Sequence, residues 1–448
     1  MRGEKFGLTM STEPSTQVNP ADDRRTLVEA IVASTVGTTI EWYDFFLYGT
    51  AAALVFPKLF FPKSDPFWGQ ILSFLTFTAG FVARPLGGVL FGHLGDRIGR
   101  KSTLVATLLL MGLSTLLIGF LPTADQIGVA APLLLVTLRC IQGLGVGGEW
   151  GGAVLLALEY GHRGRRGFYA SWPQAGVPLG LVSSTGVLAL VQHFVPDEQA
   201  FLTWGWRVPF FLSGLLIIVG MIIRVRILET PLFRQLQESN QVAQAPIMET
   251  LRDHWRDVLL AAGVRVSENA CFYLFSLYVL TYAKNVLQME RGPVLGAVSL
   301  AAVIEFFTIP IFGILSDRFS RRGTYIFGAL FLAGFAFPYY ALLATRDGFW
   351  VLVAVVVSLA IAHAPLYSVQ ASLIPELFGT RVRYTGASIG YQLATPIAGG
   401  LAPIIAASLV EQFPDRSWPL ALYIILVAAV SLVSVFLIAE TSRKDLSG

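Results

Sequence analysis

The chain has 448 residues, of which 54% are hydrophobic and only 14% are charged, and its mean hydropathy is +0.64. A soluble protein of this length needs more polar surface than this composition provides, so a soluble fold is excluded and a polytopic membrane protein is predicted. The formal net charge of +3 is uninformative by itself, and the basic sequence pI reflects membrane topology and contact with anionic lipid, not nucleic-acid binding.

Long apolar runs separated by polar breaks recur along the whole chain. A helix of about 20 apolar residues crosses the hydrocarbon core of a bilayer, and about twelve runs reach that length. The spans are predicted near residues 29–55, 68–94, 102–121, 128–158, 167–193, 207–227, 257–284, 293–315, 324–344, 348–374, 384–410 and 418–439. The predicted fold class is therefore an all-α membrane protein with twelve transmembrane helices.

The longest polar connection between two spans divides six helices from six. The predicted parts are an N-terminal tail (1–27), a first six-helix bundle (28–228), a linker (229–256), a second six-helix bundle (257–440) and a C-terminal tail (441–448). The polar first 27 residues lack the pattern of a removable signal peptide, so the first helix is expected to serve as the insertion signal.

Lys and Arg are concentrated in alternate connections. Of the 32 such residues, 22 lie in the two tails or in every second connection, and only 7 lie in the opposite connections. By the positive-inside rule, both termini of this multi-pass chain are expected to face the cytoplasm, and the expected location is a bacterial plasma membrane, the inner membrane.

The second half of the chain repeats the first. Residues 92–101 (GHLGDRIGRK) and 313–322 (GILSDRFSRR) are short basic loops between apolar runs, 221 positions apart. Such a duplication is typical of secondary transporters. Three more matches support it: 41–48 with 268–275, Glu159 and two arginines with Glu376 and two arginines, and Glu229-Thr230 with Glu440-Thr441.

The first predicted helix carries two carboxylates inside the membrane. Glu41, Asp44 and Tyr48 share one helix face because they are three and seven positions apart. A charge in the bilayer costs at least about 2.5 kcal/mol, so such residues usually line an aqueous cavity or pair inside the bundle. We predict proton coupling for Glu41 and Asp44, with a structural salt bridge as the alternative. Asp44 aligns with Cys271, so the repeat lacks the second carboxylate.

The fourth predicted helix places Arg139, Gln142 and Glu149 on one stripe. An arginine holds a carboxylate through two parallel hydrogen bonds, so Arg139 is predicted to change partners between a substrate and Asp44. A permanent buried ion pair is the alternative. Glu149 is also assigned to proton coupling. The glycines of residues 143–148 imitate a dinucleotide-binding loop, but inside a membrane helix they are expected to allow close helix packing.

The seventh predicted helix carries Arg265 and Glu268 one turn apart. They either neutralise each other, or Arg265 meets an anionic substrate. Two roles stay open for Glu305: a second proton site, or a lid over a polar pocket. His363 is expected to have a packing role, although a histidine can transfer protons. Polar tips on apolar walls suit a small ligand. The residues predicted to bind substrate are Tyr48, Gln142, Gln174, Arg265, Glu268 and Tyr391.

These residues carry a family resemblance. The basic loop after the second helix, the stripe of residues 139–147 and the two-halves layout resemble the major facilitator superfamily. Residues 41–45 (EWYDF), 147–152 (GGEWGG) and 204–209 (WGWRVP) resemble its metabolite:proton symporter branch, which includes shikimate, α-ketoglutarate and proline/betaine carriers. The resemblance implies two bundles that rock about a site at the membrane midplane, driven by the proton gradient, and it implies proton coupling for Arg139.

The resemblance also implies a cytoplasmic gate. Asp96 is expected to accept hydrogen bonds from the N-terminus of helix eleven, and Asp317 from that of helix five, where the helix dipole favours negative charge. Ser320 stands where the first loop has Gly99, so the second loop is either tighter or degenerate. The residues assigned to the gate are Asp96, Arg97, Arg100, Glu159, Arg163, Arg166, Asp317, Arg318, Glu376, Arg381 and Arg383.

The predicted function is proton-coupled import of a small organic acid, such as a shikimate-like compound or a mono- or dicarboxylate, by rocker-switch alternating access. Two alternatives stay open: a proton-coupled symporter for an osmolyte such as betaine or proline, and a nutrient sensor that does not transport. An enzyme is not expected, because no metal-ligand spacing or nucleophile–base arrangement lies outside the helices. The expected partners are the substrate, the proton and the bilayer, with no other cofactor, no metal and no nucleic acid, and a monomer is expected to function.

Overall fold

The computed structural model describes residues 20–162, 164–226, 229–414 and 416–444. Twelve long helices run through these residues, and the described part contains no β-strand. The helices are α1 (Pro20–Leu54), α2 (Pro66–Ile98), α3 (Arg100–Phe120), α4 (Ala130–Tyr160), α5 (Arg166–Phe194), α6 (Val208–Arg226), α7 (Trp255–Asn285), α8 (Arg291–Arg318), α9 (Arg321–Ala344), α10 (Gly348–Glu376), α11 (Arg383–Gln412) and α12 (Trp418–Leu437).

Eleven helices in the described residues are long and apolar enough to cross a membrane. The helix α1 is 35 residues long but is not one of the eleven, and it carries the carboxylates Glu41 and Asp44 within its length. It nevertheless packs against α4, α5 and α6. The all-α membrane fold is therefore confirmed, and each predicted span corresponds to one of the twelve long helices.

Close packing between α2 and α4 depends on glycines. A Cβ atom added to Gly143 would lie 2.3 Å from the backbone oxygen of Gly80, and one added to Gly147 would lie 2.1 Å from that of Arg84. Real Cβ atoms do not approach an oxygen so closely, so only glycine permits this helix separation. The prediction that the glycines of residues 143–148 serve helix packing is confirmed.

Three helices of the second half contain a π-helical segment, whereas the described residues of the first half contain none. The segments are Leu274–Tyr278 in α7, Ser358–His363 in α10 and Thr395–Gly400 in α11. A π-helical turn widens the helix and is frequent at functional sites. One of these segments ends at His363, and another begins four residues after Tyr391.

The two halves meet along α2 with α11 and along α5 with α8 and α10. The linker between them contains two short helices, Pro231–Glu238 and Pro246–Asp253. Phe233 of the first short helix is fully buried, and the Arg100 guanidinium lies 4.6 Å from its ring centroid. The linker therefore packs onto the end of the molecule that carries the basic loops, which we call the basic end.

Candidate functional site

Asp44 is completely buried on α1. The hydroxyl of Ser213 on α6 donates to its Oδ1 at 2.5 Å. Thr115 on α3 also interacts with this carboxylate, and its hydroxyl accepts a hydrogen bond of 2.8 Å from the Gln142 amide. Gln142 in turn accepts a hydrogen bond from Arg139. Asp44 and Arg139 are thus connected through two polar side chains.

This geometry differs from the direct contact between Arg139 and Asp44 that the sequence favours. Among the described residues no ion pair joins the two groups. The Arg139 guanidinium instead lies over aromatic rings, 4.2 Å from the centroid of Tyr48 and 4.8 Å from that of Phe77. Cation–π contacts with several rings hold a buried guanidinium without a carboxylate partner. Arg139 is therefore available to a charged group that enters the bundle.

Tyr48 is fully buried, and its hydroxyl donates to Thr76 at 2.7 Å. Together with Gln142 it belongs to the cluster around Arg139, inside the first bundle. The other residues predicted to bind substrate lie elsewhere, where the two halves meet. The single substrate site expected from the sequence is therefore divided into two polar clusters.

Glu41 is buried on α1 but has different neighbours from Asp44. Its carboxylate is within electrostatic reach of Arg84 on α2 and of Glu149 and Arg224. The Arg84 guanidinium also lies 4.7 Å from the ring centroid of Phe45. Glu41 and Asp44 share a helix face, as expected, but their surroundings differ, so they are not an isolated carboxylate pair.

Glu149 forms a buried ion pair with Arg224 of α6. The guanidinium contacts both carboxylate oxygens, and Thr107 donates to Oε2 at 2.8 Å. Arg224 lies inside the predicted span 207–227, and its side chain is only 3% exposed. Glu149 is paired with Arg224 in this structure, and it does not face Arg139 as the shared stripe indicates.

A second polar cluster lies at the interface of the halves, and we call it the interface cluster: Trp150, Gln174, Arg265, Tyr367 and Tyr391. The Trp150 indole donates to the Gln174 amide oxygen at 2.9 Å, and the Gln174 amide donates to the backbone oxygen of Tyr367 at 2.9 Å. Trp150 also stacks on Tyr391 with ring centroids 3.5 Å apart. The contacts of Gln174 with Tyr367 and of Trp150 with Tyr391 join the first bundle to the second.

Arg265 completes the interface cluster. Its guanidinium lies 3.7 Å from the ring centroid of Tyr391 and forms an ion pair with Glu268. Of the two alternatives left by the sequence, neutralisation by Glu268 is what the structure contains. The planar face of the guanidinium nevertheless remains against a tyrosine at the junction of the halves, which is the position where a substrate carboxylate would contact both bundles.

His363 is fully buried and lies between two carboxylates. Its Nδ1 is 2.5 Å from Glu305 Oε1, and its Nε2 is 3.0 Å from Glu268 Oε1. The expectation of a packing role for His363 is therefore wrong, because both ring nitrogens have polar partners. In the described residues no group of three His, Cys, Asp or Glu side chains has the geometry to hold a metal ion.

The first latch, at the basic end, joins α2 to α11. Asp96 accepts hydrogen bonds from the backbone N–H groups of Tyr384 and Thr385, at 3.2 and 2.8 Å. Arg100 lies 3.3 Å from Asp96 and 3.6 Å from Glu159. Glu159 is also 3.4 Å from Arg383 of the other half. The contact of Asp96 with the N-terminus of helix eleven is as the resemblance implies.

The second latch joins α8 to α5. Asp317 accepts hydrogen bonds of 2.8 Å from the backbone N–H groups of both Gly167 and Phe168. Arg321 lies 2.7 Å from Asp317 and 3.4 Å from Glu376. The second latch is therefore as complete as the first, which decides against a degenerate second loop. Both latches are closed in this structure.

The remaining gate residues differ in their surroundings. Arg97 and Arg318 are exposed, and Arg318 lies over the ring of Phe319. Neither residue belongs to the buried charge networks, which differs from the expectation. Arg381 pairs with Glu249 of the linker at 3.2 Å, not with the opposite bundle. Arg166 donates to the backbone oxygen of Lys444 at 2.9 Å. Arg163, also assigned to the gate, lies outside the described residues.

The repeated Glu-Thr pairs have a role that the sequence analysis missed. Glu229 accepts hydrogen bonds from the backbone N–H groups of Arg100 and Lys101 at the start of α3, at 3.0 and 3.2 Å. Glu440 accepts equivalent bonds at the start of α9. Each carboxylate caps the first turn of the helix that follows a latch loop, where free N–H groups and the helix dipole favour a negative charge.

Gly99→Ala is expected to destabilise the protein by about 1 to 3 kcal/mol. Gly99 has φ +117, and an added Cβ atom would lie 2.2 Å from Glu229 Oε2. Ser320, the matched position, has φ −175, which any residue adopts. Ser320→Ala is the control, with a loss of about 1 kcal/mol from its helix cap. Thermal unfolding of the purified variants measures both, and equal losses would contradict the argument.

Glu440→Gln is expected to have a pH-dependent effect. Partial burial by itself would raise the pKa of Glu440, but hydrogen bonds from the Ser320 hydroxyl and three backbone N–H groups lower it from 4.5 to about 2. A lowered folded-state pKa stabilises the fold above pH 4.5, and this contribution disappears as the pH falls toward 2. Because the side chain is partly exposed, the effect stays below about 1 kcal/mol.

Melting temperatures of wild type and Glu440→Gln measured between about pH 7 and about pH 3 test this prediction. The wild-type advantage is expected to be constant above pH 4.5 and to shrink below it. An advantage that grows on acidification would contradict the assigned direction of the pKa shift.

Two groups of the site were not assigned a role from the sequence. Trp150 follows Glu149 in a glycine-rich stretch, and a tryptophan among glycines inside a membrane helix was the available signal. Arg224 gave no such signal, because its position near the end of an apolar run is typical of a topological arginine. Only the packing of α6 against α1 and α3, which brings Arg224 to Glu149, identifies its partner.

The chain matches known proteins along nearly its whole length. The family model of the Major Facilitator Superfamily matches residues 45–391 and 297–447. The chain is 39% identical to the shikimate transporter of Escherichia coli K12, over 96% of this chain and 99% of that one. It is 35% identical to the proline/betaine transporter of Salmonella typhimurium LT2, over 94% of this chain and 85% of that one.

Solved structures have the same fold. The proton:xylose symporter XylE bound to 6-bromo-6-deoxy-D-glucose superimposes with a TM-score of 0.76 at 16% identity, covering 95% of this chain and 98% of that one. The inward-open form of XylE from E. coli gives a TM-score of 0.62. The matches to the family model and to the relatives above show that the chain belongs to the major facilitator superfamily, in its metabolite:proton symporter branch. It is therefore a membrane transporter and not an enzyme.

Proposed function

We propose that this transporter imports a small organic acid together with protons, by rocker-switch alternating access across the bacterial inner membrane. The observation that carries the proposal is Arg265, whose guanidinium lies on Tyr391 where the two halves meet. A carboxylate bound there contacts both bundles, so its binding is coupled to their relative orientation. The similarity to the shikimate transporter supports an acid as substrate.

The closed latches support a working order of events. We take the basic end as cytoplasmic, with both termini on that side, because of the excess of Lys and Arg. With this end latched, substrate and proton enter from the opposite side. Neutralisation of Asp44 by a proton removes a buried charge and leaves Arg139 as the main charge of its cluster. The bundles then rock, the latches open and the substrate leaves. One chain contains every residue named in this cycle, in accord with a working monomer.

The driving force is sufficient for accumulation. One positive charge that moves inward through 100 mV supplies about 2.3 kcal/mol. A monoanion carried with more than one proton moves such a charge, so both the membrane potential and the pH gradient drive uptake. The proton is the only coupling ion that this scheme requires.

A proton-coupled osmolyte symporter is the second candidate. Its support is the 35% identity with the proline/betaine transporter. Betaine and proline carry a cationic group as well as a carboxylate, and the aromatic rings near the interface, Trp42, Phe45 and Phe272 among them, are surfaces on which a cation binds. In this chain Arg84 already lies over the rings of Trp42 and Phe45, which favours the acid.

Uptake into proteoliposomes under an imposed inward proton gradient tests the proposal. The labelled probes are shikimate, a dicarboxylic acid, an aromatic acid, glycine betaine and proline. Accumulation of an acid that collapses with a protonophore is the expected result. Accumulation of betaine or proline alone would overturn the acid in favour of the osmolyte. Tight binding of a probe that never enters the vesicles would identify a sensor. Vesicles without the protein are the background control.

A further inference from the structure

Three titratable side chains are buried in contact with one another in the second bundle. They are Glu268 on α7, His363 on α10 and Glu305 on α8, and we call them the histidine cluster. All three are at most 2% exposed. His363 bridges the two glutamates, with 2.5 Å to Glu305 and 3.0 Å to Glu268. The π-helical segment Ser358–His363 ends at this histidine, so the helix is irregular where it presents the ring to both carboxylates.

The geometry requires one proton beyond those of a neutral histidine and two ionised glutamates. A neutral imidazole has a single N–H group, so it donates to only one carboxylate and leaves the other ring nitrogen facing a carboxylate oxygen. An added proton, on the imidazole or on one carboxyl group, supplies the second donor. Hydrogen bonds at both ring nitrogens therefore form only when the histidine cluster holds an added proton.

The charge balance points to the same state. Arg265 pairs with the other oxygen of Glu268 and contributes one positive charge, and the two glutamates contribute two negative charges. With the added proton the four side chains are neutral together; without it they carry one net negative charge. An uncompensated buried charge costs several kcal/mol, so the loaded form belongs to the closed site.

The neighbouring groups do not provide another compensating charge. Among the described residues, Arg265 is the one cation besides His363 that forms an ion pair with the two glutamates. The other titratable groups around it are Tyr273 on α7, Tyr325 on α9, Tyr367 on α10, Tyr391 on α11 and Glu41 on α1, and Glu41 has Arg84 on α2 within electrostatic reach.

We infer that the histidine cluster is a second proton-coupling site, separate from Asp44, whose proton allows Arg265 to change partners from Glu268 to the carboxylate of an acidic substrate. This inference rests on the proposed function. When His363 carries the proton, Glu268 keeps one positive partner after Arg265 has turned to the substrate. When the proton is absent, Arg265 and the histidine cluster together carry one net negative charge, and an anion is repelled. The proton therefore binds before the acid and travels with it.

Two variants have opposite expected effects. Glu305→Gln removes one negative charge, so Arg265, Glu268 and a neutral His363 are balanced without the added proton. Acid binding then loses the pH dependence that comes from the histidine cluster, and one proton fewer accompanies each substrate. His363→Gln removes the proton carrier and leaves the net negative charge, so acid binding weakens at every pH. Glu290→Gln and His193→Gln, at exposed positions, are the matched controls and are expected to behave as wild type.

The measurement is the proton:substrate ratio, obtained from the substrate gradient at which net flux of labelled shikimate is zero in proteoliposomes with a fixed pH gradient and a fixed membrane potential. Wild type is expected to give about two protons per shikimate and Glu305→Gln about one, because Asp44 remains. A merely structural role slows transport without moving this ratio. An unchanged ratio and unchanged pH dependence in Glu305→Gln would overturn the inference while the proposed symport stands.

A readout without substrate covers the case in which wild type moves no acid, so that the proposed function itself fails. Nitrogen NMR of the full chain in lipid, with its five histidines isotope-labelled and His363 assigned by loss of its signal in His363→Gln, reports the protonation of each ring nitrogen. Two protonated nitrogens at neutral pH, lost in Glu305→Gln, support the loaded cluster. A single neutral tautomer of His363 in wild type, with neither glutamate protonated in the infrared spectrum, would overturn it.

Discussion

Asp44→Asn is expected to abolish the accumulation of substrate that the membrane potential drives, while exchange of substrate across the membrane persists. Asparagine keeps the side-chain size and an oxygen that accepts the Ser213 hydroxyl, but it has no exchangeable acidic proton. A driving force of about 2.3 kcal/mol per 100 mV corresponds to about 50-fold accumulation. At a membrane potential of about 100 mV without a pH gradient, the ratio of internal to external substrate is expected to fall from about 50 to about one in the variant, because the one proton left at the histidine cluster moves no net charge with a monoanion.

Ser213→Ala is the matched control for Asp44→Asn. It removes the hydrogen bond to Asp44 but leaves the carboxylate, so accumulation is expected to remain and its pH dependence to shift. Uptake under an imposed membrane potential without a pH gradient, and counterflow of labelled substrate without either, separate the coupled step from the exchange step. Potential-driven uptake at the wild-type level in Asp44→Asn would show that this proton is carried elsewhere.

The second large effect concerns stability. Glu149→Ala is expected to destabilise the protein by about 3 to 5 kcal/mol, because it leaves the buried Arg224 guanidinium without its carboxylate. The guanidinium of Arg224 fills the space left by the missing side chain of Gly37, since a Cβ atom there would lie 2.0 Å from its Nη2. Thermal unfolding in detergent measures the loss.

A double variant distinguishes the pair from either residue alone. Glu149→Leu with Arg224→Met replaces both charges by apolar groups of similar size, and most of the stability is expected to return. If the double variant is stable and still accumulates substrate, Glu149 has no part in proton coupling. Loss of proton coupling in a stable double variant would instead support the assignment made from the helix-four stripe.

These experiments divide the buried carboxylates into three groups. Asp44 has hydroxyl neighbours and no ion-pair partner among the described residues, which suits a group that gains and loses a proton. Glu149 has a permanent cation, which suits a structural role. Glu268 has both a cation and a histidine, so its partner changes with protonation. Sequence position alone assigned the first two of these to the same role.

The repeat was the most informative part of the sequence. It located both latch loops, and the structure places Asp96 and Asp317 at the N-termini of helices from the opposite bundle. It also matched Glu229-Thr230 with Glu440-Thr441, and both glutamates cap equivalent helices. Residues at equivalent repeat positions are in equivalent surroundings because each half folds in the same way, so contacts within the repeated unit were predictable.

The sequence by itself determined the membrane class, the helix positions and the family, because a bilayer requires long apolar helices and a duplication leaves matched motifs at a regular offset. Only the tertiary structure decided the partners: Arg224 for Glu149, two glutamates for His363, and residues of the second bundle for Trp150 and Gln174. The hydrogen-bonded pairs among these residues are 24 to 193 positions apart in the sequence. Such partners depend on the rotation and separation of packed helices, which periodicity along a single helix does not encode.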